Sequence, residues 1–141
     1  MERPQIYVLS AVQIFAVGIL VWILITRPTP WNFERYLGTA LVIVGVGFIA
    51  LARYQLGGSF SIRPEAHKLV TRGLYSKIRN PIYVFGTLLF AGAILIVQRP
   101  IMWLFLAAVV VMQTIRARRE ARVLEAAFGD AYREYRRKTW F

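Results

Sequence analysis

The sequence predicts an all-α integral membrane protein with four transmembrane helices and an amphipathic C-terminal helix on the cytoplasmic side. Three observations indicate this fold class. Of the 141 residues, 57% are hydrophobic and only 18% are charged, and the mean hydropathy is +0.50, whereas an average soluble domain has about half apolar and about a quarter charged residues. The apolar residues form long blocks instead of an amphipathic pattern. The basic residues are concentrated between and after these blocks.

Four apolar blocks predict the four spanning helices, because such a helix needs about 20 mainly apolar residues. The blocks are residues 5–26, 36–52, 81–98 and 101–115. The fourth is short on its own, but its helix can continue into the charged segment that follows. Gln98-Arg99-Pro100 predicts a tight turn, with Pro100 at the first position of the next helix. Spans three and four should therefore form an antiparallel hairpin within a single domain, residues 1–141.

Glycines in the second block predict close packing of that helix. Gly38, Gly45 and Gly47 lie within it, and small residues let helix backbones approach each other in a membrane. The partner is either a neighbouring helix or a second copy of the chain, so a homodimer is one of two expected arrangements.

The distribution of positive charge predicts the orientation of the spans. With four spans, both termini and residues 54–80 lie on one side of the membrane. Only Arg27, Arg35 and Arg99, of the 18 lysines and arginines, lie on the other side, and the positive-inside rule places the basic side in the cytoplasm. Membrane lipids explain the net charge of +11, since anionic headgroups attract each juxtamembrane basic residue by about 1 kcal/mol. Nucleic-acid binding would need a soluble basic face and is not expected.

Composition also limits the chemistry of the protein. There is no cysteine, which excludes disulfides, thiolate metal sites and a cysteine nucleophile. His67 is the single histidine, so no multi-histidine metal site is expected within one chain. The four blocks carry no Asp, Glu, Lys, Arg or His, whereas a transport path usually needs an ionisable residue inside the membrane. A small transporter is therefore disfavoured. A small transporter and a non-catalytic membrane scaffold remain the two alternatives to an enzyme.

Residues 116–141 predict an amphipathic helix at the membrane surface. Leu124, Phe128, Tyr132 and Tyr135 recur at steps of three and four residues, with arginines between them. Gly129 is expected to interrupt this helix or to end its first half. Tyr132 and Tyr135 are expected to pack or to anchor the helix among lipid headgroups.

Two polar segments on the predicted cytoplasmic side carry a resemblance to a known family. They read HKLVTRGLYSKIRNPIY at residues 67–83 and RARREARVLEAAFGDAYREY at residues 116–135. Together they resemble the isoprenylcysteine carboxyl methyltransferases and the related phospholipid methyltransferases. The family pattern runs H-x-L-V-x-x-G-x-Y, then R-H-P-x-Y and, after a helical hairpin, R-x-x-x-E-E-x-x-L-x-x-x-F-G-x-x-Y-x-x-Y. The residues in register with it are His67, Leu69, Val70, Gly73, Tyr75, Arg79, Pro81, Tyr83, Arg116, Glu120, Leu124, Phe128, Gly129, Tyr132 and Tyr135.

The resemblance implies an integral membrane enzyme that uses S-adenosylmethionine and releases S-adenosylhomocysteine. The cofactor would lie at the cytoplasmic ends of the last two spans, and a lipophilic substrate with a carboxylate or an amine headgroup would enter from the bilayer. Arg116 would be the catalytic residue that faces this headgroup, and no metal would be needed. By position, the cofactor-binding residues would be His67, Lys68, Leu69, Val70, Gly73, Tyr75, Asn80, Pro81, Ile82, Tyr83 and Glu120.

The chain departs from the family pattern at three positions. Asn80 replaces the histidine of R-H-P, Ala121 replaces the second glutamate, and a glycine usually found two residues after the tyrosine is displaced to Gly86. An amide cannot act as an acid or base. This favours an acceptor that is already deprotonated, such as a carboxylate, whereas an amine would lose its proton to Glu120 or to solvent. Asn80-Pro81 also predicts a helix start, with Asn80 as the cap.

Overall fold

The computed structural model describes residues 3–28, 30–56 and 69–141, and every regular element in these ranges is helical apart from one isolated bridge. The predicted all-α class is therefore confirmed. Within these ranges, the α-helices and one short 3₁₀ turn follow in chain order: α1 Arg3–Thr26, α2 Phe33–Leu56, the 3₁₀ turn Gly73–Ser76, α3 Pro81–Val97, α4 Met102–Phe128 and α5 Asp130–Lys138.

Helix α2 is the one described helix that is long and apolar enough to cross a bilayer. The apolar stretches Ile14–Thr26 of α1 and Pro81–Val97, which is α3, are shorter than that limit. The first half of α4 is apolar and its second half is charged, and the helix runs through this change without a break. The continuation of the fourth helix into the charged segment is therefore as the sequence predicts. The presence of four spans stays a prediction.

Two details of the helix starts differ from the sequence predictions. Helix α4 begins at Met102 and not at Pro100. Gln98 takes a left-handed conformation with φ 56°, and the chain then makes short turns before the helix starts. In one of these turns Met102 N donates to Arg99 O at 3.0 Å. Asn80 does precede Pro81 at the start of α3, but its side chain makes no capping hydrogen bond. The predicted side-chain cap is therefore wrong.

The main packing contact joins α2 and α3 along a line of glycines. A Cβ on Gly38 would lie 2.6 Å from the carbonyl oxygen of Gly92, and a Cβ on Gly92 would lie 2.6 Å from that of Gly38. A Cβ on Gly45 would lie 2.9 Å from the Leu89 Cβ and 3.1 Å from the carbonyl oxygen of Phe85. The helices therefore touch backbone to backbone, which a side chain at either position would prevent. Gly38 and Gly45 thus pack within the chain, whereas a Cβ on Gly47 would meet no described atom within 4 Å.

The end of the bundle opposite the 3₁₀ turn is tied together by polar side chains. Asn32 Oδ1 accepts a hydrogen bond from the Arg35 backbone nitrogen at 3.0 Å, which caps the start of α2, and another from Gln98 Nε2 at 2.9 Å. The buried Arg35 guanidinium donates to Leu24 O near the end of α1 and lies over the ring of Trp31, 4.6 Å from its centroid. These contacts join α1, α2 and the α3–α4 turn.

Helices α4 and α5 are separated by Gly129. Its φ of 53° and ψ of −120° are accessible almost only to glycine, so the helix ends at Phe128 and a new one begins at Asp130. Arg133 bridges the break, since it contacts Glu125 of α4 and Asp130 of α5, both at 2.9 Å. The predicted interruption at Gly129 is confirmed. It turns α5 back toward the segment before α3.

Candidate active site

The 3₁₀ turn Gly73–Ser76 is fixed against the end of α2. The backbone nitrogen of Leu74 donates to Gln55 Oε1 at 2.7 Å. Gly73 has a φ of +62°, and a Cβ there would lie 2.4 Å from Gln55. The backbone conformation therefore requires glycine, and a side chain there would also displace the Gln55 amide that binds Leu74. The side chain that fills this space, Gln55, lies outside both of the motif segments.

Residues 77–80 are paired with the last residues of the chain. Trp140 N donates to Lys77 O at 3.0 Å, Arg79 N to Trp140 O at 3.2 Å and Asn80 N to Phe141 O at 3.0 Å. The pairing is parallel and centres on Ile78 and Trp140. The segment that leads into α3 is thus held by α2 on one side and by the residues after α5 on the other.

A hydrogen-bonded network joins the two motif segments. Tyr83, in the first turn of α3, donates its hydroxyl to Glu120 Oε1 at 2.6 Å. Arg116 Nε lies 3.1 Å from the same oxygen, and the Arg116 guanidinium is 5.9 Å from the centroid of the Tyr83 ring. Arg116 and Glu120 are four residues apart on α4, and so share one helix face. The carboxylate is thereby held between a phenol and a guanidinium at the meeting point of α3 and α4.

Three buried tyrosines lie beside this network. Tyr75, Tyr132 and Tyr135 are all under a tenth exposed, so Tyr132 and Tyr135 pack in the protein and do not anchor it among headgroups. Burial, followed by the proximity of Tyr135 and Glu120, raises the pKa of Tyr75. Burial and then the proximity of Tyr132 raise the pKa of Tyr135 to about 12. These hydroxyls therefore stay protonated and uncharged at neutral pH.

Two buried polar atoms in this region have no hydrogen-bond partner among the described residues. They are Arg79 Nε and Tyr135 Oη. An unpaired buried polar atom costs about 1–3 kcal/mol, and such atoms are rare in proteins. Both atoms are therefore candidates for contact with a polar ligand.

A cleft of about 230 Å³ opens between α3 and α4 next to the network. Its walls are Tyr83, Val84 and Thr87 from α3 and Val110, Gln113 and Thr114 from α4. Phe141 contributes to the same cleft. Tyr83 lines the cleft and also binds Glu120, so the cleft and the polar network are continuous.

The structure brings most of the predicted site residues to this end of the molecule. His67 and Lys68 lie outside the described residues. Leu69 and Val70 are half-buried before the 3₁₀ turn, Pro81 is buried, and Asn80 and Ile82 are half-buried at the start of α3. Tyr83, Arg116 and Glu120 are in direct contact. The sequence interpretation did not include four residues that the structure brings to this site: Gln55, Thr87, Gln113 and Phe141. Of these, the amide of Gln113 inside the fourth apolar block was the one signal that the sequence offered.

Comparison with known proteins agrees with the motif segments. A sequence profile described as phospholipid methyltransferase matches residues 33–131. The protein-S-isoprenylcysteine O-methyltransferase of Schizosaccharomyces pombe is 31% identical over 113 residues, covering 66% of this chain and 45% of that protein. The chain thus spans less than half the length of this curated relative. No solved structure matches the chain significantly. The profile match runs from α2 to the first residues of α5 and includes the 3₁₀ turn and the Tyr83–Glu120–Arg116 network.

Proposed function

Because the chain belongs to the phospholipid methyltransferase family, we propose that it is an integral membrane methyltransferase that uses S-adenosylmethionine. Its substrate would be lipophilic, with a carboxylate or an amine headgroup, and would enter from the bilayer. The observation that carries the proposal is the contact of Tyr83 with Glu120 and Arg116, which places the two motif segments around one polar site beside a cleft.

The residues around this site fit the polar groups of S-adenosylmethionine. The cofactor supplies a methyl group already activated on a sulfonium, together with an ammonium, a carboxylate and a nucleoside. Glu120 would bind the cationic groups, and the Tyr75 and Tyr83 rings offer faces for a cation or for a flat base. Arg79 and Tyr135, whose buried polar atoms lack partners among the described residues, would gain partners from the carboxylate or the nucleoside.

Positioning and electrostatics are the contributions that these side chains can make. Arg116 lies at the end of the apolar half of α4, where its guanidinium would orient an anionic or polar headgroup. Tyr83 and Arg116 both donate to Glu120 and therefore fix the position of its carboxylate. Asn80 provides hydrogen bonds but no proton transfer. The site is thus suited to hold two reactants in line, which lowers the barrier to a displacement without a covalent or metal-bound step.

The proposal includes four spans, formed by α1, α2, α3 and the first half of α4, with the site on the cytoplasmic side. The basic residues of α5 and of the charged half of α4 would then contact anionic lipids. Homodimer formation stays a prediction.

The test is titration calorimetry of S-adenosylhomocysteine into the full chain in detergent. The wild type should bind, and Glu120→Ala should weaken binding about 10-fold or more, as expected for a lost charged hydrogen-bond partner. Arg116→Ala should lower turnover far more than cofactor affinity. Glu134→Ala is the matched control, since Glu134 is 66% exposed and pairs only with Lys138 among the described residues. A wild type that does not bind S-adenosylhomocysteine would refute the proposal.

A further inference from the structure

A polar pair lies in the wall of the α3–α4 cleft. Thr87 Oγ1 is 2.8 Å from Gln113 Oε1 and 2.9 Å from the carbonyl oxygen of Tyr83. This places the Gln113 carbonyl against α3. The amide nitrogen of Gln113 makes no hydrogen bond to any described residue. It lies beside Gly86, where a Cβ would be 3.6 Å away, so the missing glycine side chain leaves room next to the amide.

In the proposed membrane topology, this amide would be costly to leave unpaired unless a ligand uses it. Gln113 and Thr87 both lie in segments predicted to span the membrane, where no bulk water satisfies a polar group. Polar side chains at such depth are expensive and mark functional paths. The single hydroxyl hydrogen of Thr87 is shared between the Tyr83 carbonyl oxygen and Gln113 Oε1. The two N–H donors of Gln113 remain for a group that occupies the cleft.

The amide is also aligned with the proposed reacting groups. Gln113 precedes Arg116 by three residues and Glu120 by seven, which corresponds to about 4.5 Å and about 10.5 Å along the axis of α4. These spacings place the three side chains on one side of the helix, and Tyr83 connects the cleft wall to Glu120. A headgroup in the cleft would meet Gln113 first and Arg116 one turn later.

We propose that Gln113 is a substrate-specificity residue whose amide donates a hydrogen bond to an acceptor oxygen of the lipid headgroup. Thr87 is the positioning residue that holds this amide. The inference rests on the proposed function and adds a named donor to it. A carboxylate and a phosphodiester both offer acceptor oxygens, so the same donor would serve either kind of lipid.

The experiment is equilibrium binding of two radiolabelled lipids to the full chain in detergent. One is an S-isoprenylcysteine with a free carboxylate, and the other is phosphatidylethanolamine, which carries a phosphodiester. Gln113→Met keeps the length of the side chain and removes the donor, and it should weaken binding of at least one lipid about 10-fold. The lipid affected identifies the source of the acceptor oxygen. Met112→Leu is the neighbouring control, since Met112 is 70% exposed, and it should change neither affinity more than about twofold.

A second pair of variants makes the test independent of a single substitution. Thr87→Val removes the hydroxyl that holds Gln113 and should weaken binding of the same lipid, whereas Thr87→Ser keeps the hydroxyl and the affinity. S-adenosylhomocysteine binding, measured in parallel, should stay unchanged in all these variants. Equal lipid affinities of wild type and Gln113→Met would overturn the inference, and so would an equal loss of cofactor affinity. Absence of cofactor binding in the wild type would instead refute the proposed function, because lipid binding is measured without turnover.

Discussion

At the scale of single residues, Glu120 depends on donors from two different helices. Tyr83 reaches it from α3 at 2.6 Å, and Arg116 reaches it along α4 at 3.1 Å. The tyrosine bond joins the two motif segments through residues that are 37 positions apart in the chain. Arg116 is 41% exposed, so solvent weakens its ion pair with Glu120. The Tyr83 hydroxyl is therefore the more important of the two for the placement of the carboxylate.

Tyr83→Phe tests whether the Tyr83 hydroxyl positions the Glu120 carboxylate. The variant keeps the ring and removes the hydroxyl, and loss of one hydrogen bond to a charged group corresponds to about 1.5–3 kcal/mol. We expect S-adenosylhomocysteine affinity, measured by calorimetry, to fall about 10-fold or more. Tyr54→Phe is the control, because Tyr54 is 84% exposed at the end of α2 and should behave as wild type. Unchanged affinity in Tyr83→Phe would show that Glu120 needs no help from α3.

At the scale of elements, the crossing of α2 and α3 is the contact that places the start of α3. The two helices meet at Gly38 and Gly92 with backbone oxygens where side chains would be. On one side of the same interface, the rings of Phe48 and Phe85 stack on each other, with their centroids 4.6 Å apart. Because Tyr83 is only two residues before Phe85, a shift of this crossing would move the hydroxyl that binds Glu120.

Gly92→Ala should therefore destabilise the protein and weaken the site together. The added methyl would lie 2.6 Å from the Gly38 carbonyl oxygen, and overpacking of this kind costs about 1–3 kcal/mol. Unfolding in detergent, followed by loss of helical signal, should show the lower stability. Gly47→Ala is the matched control in α2, since its methyl would meet no described atom within 4 Å, and alanine is the better helix former by about 0.5–1 kcal/mol. A Gly92→Ala variant as stable as Gly47→Ala would contradict the backbone contact.

The packing of α5 should be lost at alkaline pH. Burial raises the pKa of Tyr75, Tyr132 and Tyr135 above the ordinary value near 10. Below pH 10 these hydroxyls are protonated in both folded and unfolded chains, so their contribution to stability is fully present. Above it the unfolded chain releases protons first, and stability falls until the folded pKa is reached, about 12 for Tyr135.

Tyrosinate absorbance and helix content, recorded from pH 9 to 12, check this expectation. Both should change together if ionisation requires release of α5. Tyr135→Phe removes one titrating group and a buried hydroxyl without a described partner, so it should move the transition to higher pH. Tyr54→Phe again serves as the exposed control. Separate ionisation of the tyrosines, with the helix content constant, would show that α5 is not held by this cluster.

At the scale of the whole molecule, the pattern of side chains in the sequence predicted those features of the fold that side chains determine. The apolar blocks predicted the helices. The motif spacing predicted that Tyr83, Arg116 and Glu120 meet at one end of the helical hairpin, and the structure places them in contact. The pairing of residues 77–80 with Trp140 and Phe141 was not predicted, because it is made by backbone groups that every residue carries. The sequence predicts the start of α4 at Pro100 because proline favours the first position of a helix. The left-handed Gln98 before it is hydrogen-bonded to Asn32, 66 residues away, and a local pattern does not reveal such a distant contact.

The membrane topology can be tested directly, because the natural chain has no cysteine. Ser76, Arg99 and Lys138 are all exposed, so Ser76→Cys, Arg99→Cys and Lys138→Cys each introduce one accessible thiol. With four spans, Ser76→Cys and Lys138→Cys should react with a membrane-impermeant maleimide from the cytoplasmic side and Arg99→Cys from the opposite side. Detergent-solubilised protein, in which all three should react, is the control for accessibility. If Arg99→Cys reacts from the same side as Ser76→Cys, then α3 and α4 enter and leave the membrane on one side without crossing it. The four-span topology would then be wrong, while the contact of Tyr83 with Glu120 would be unaffected.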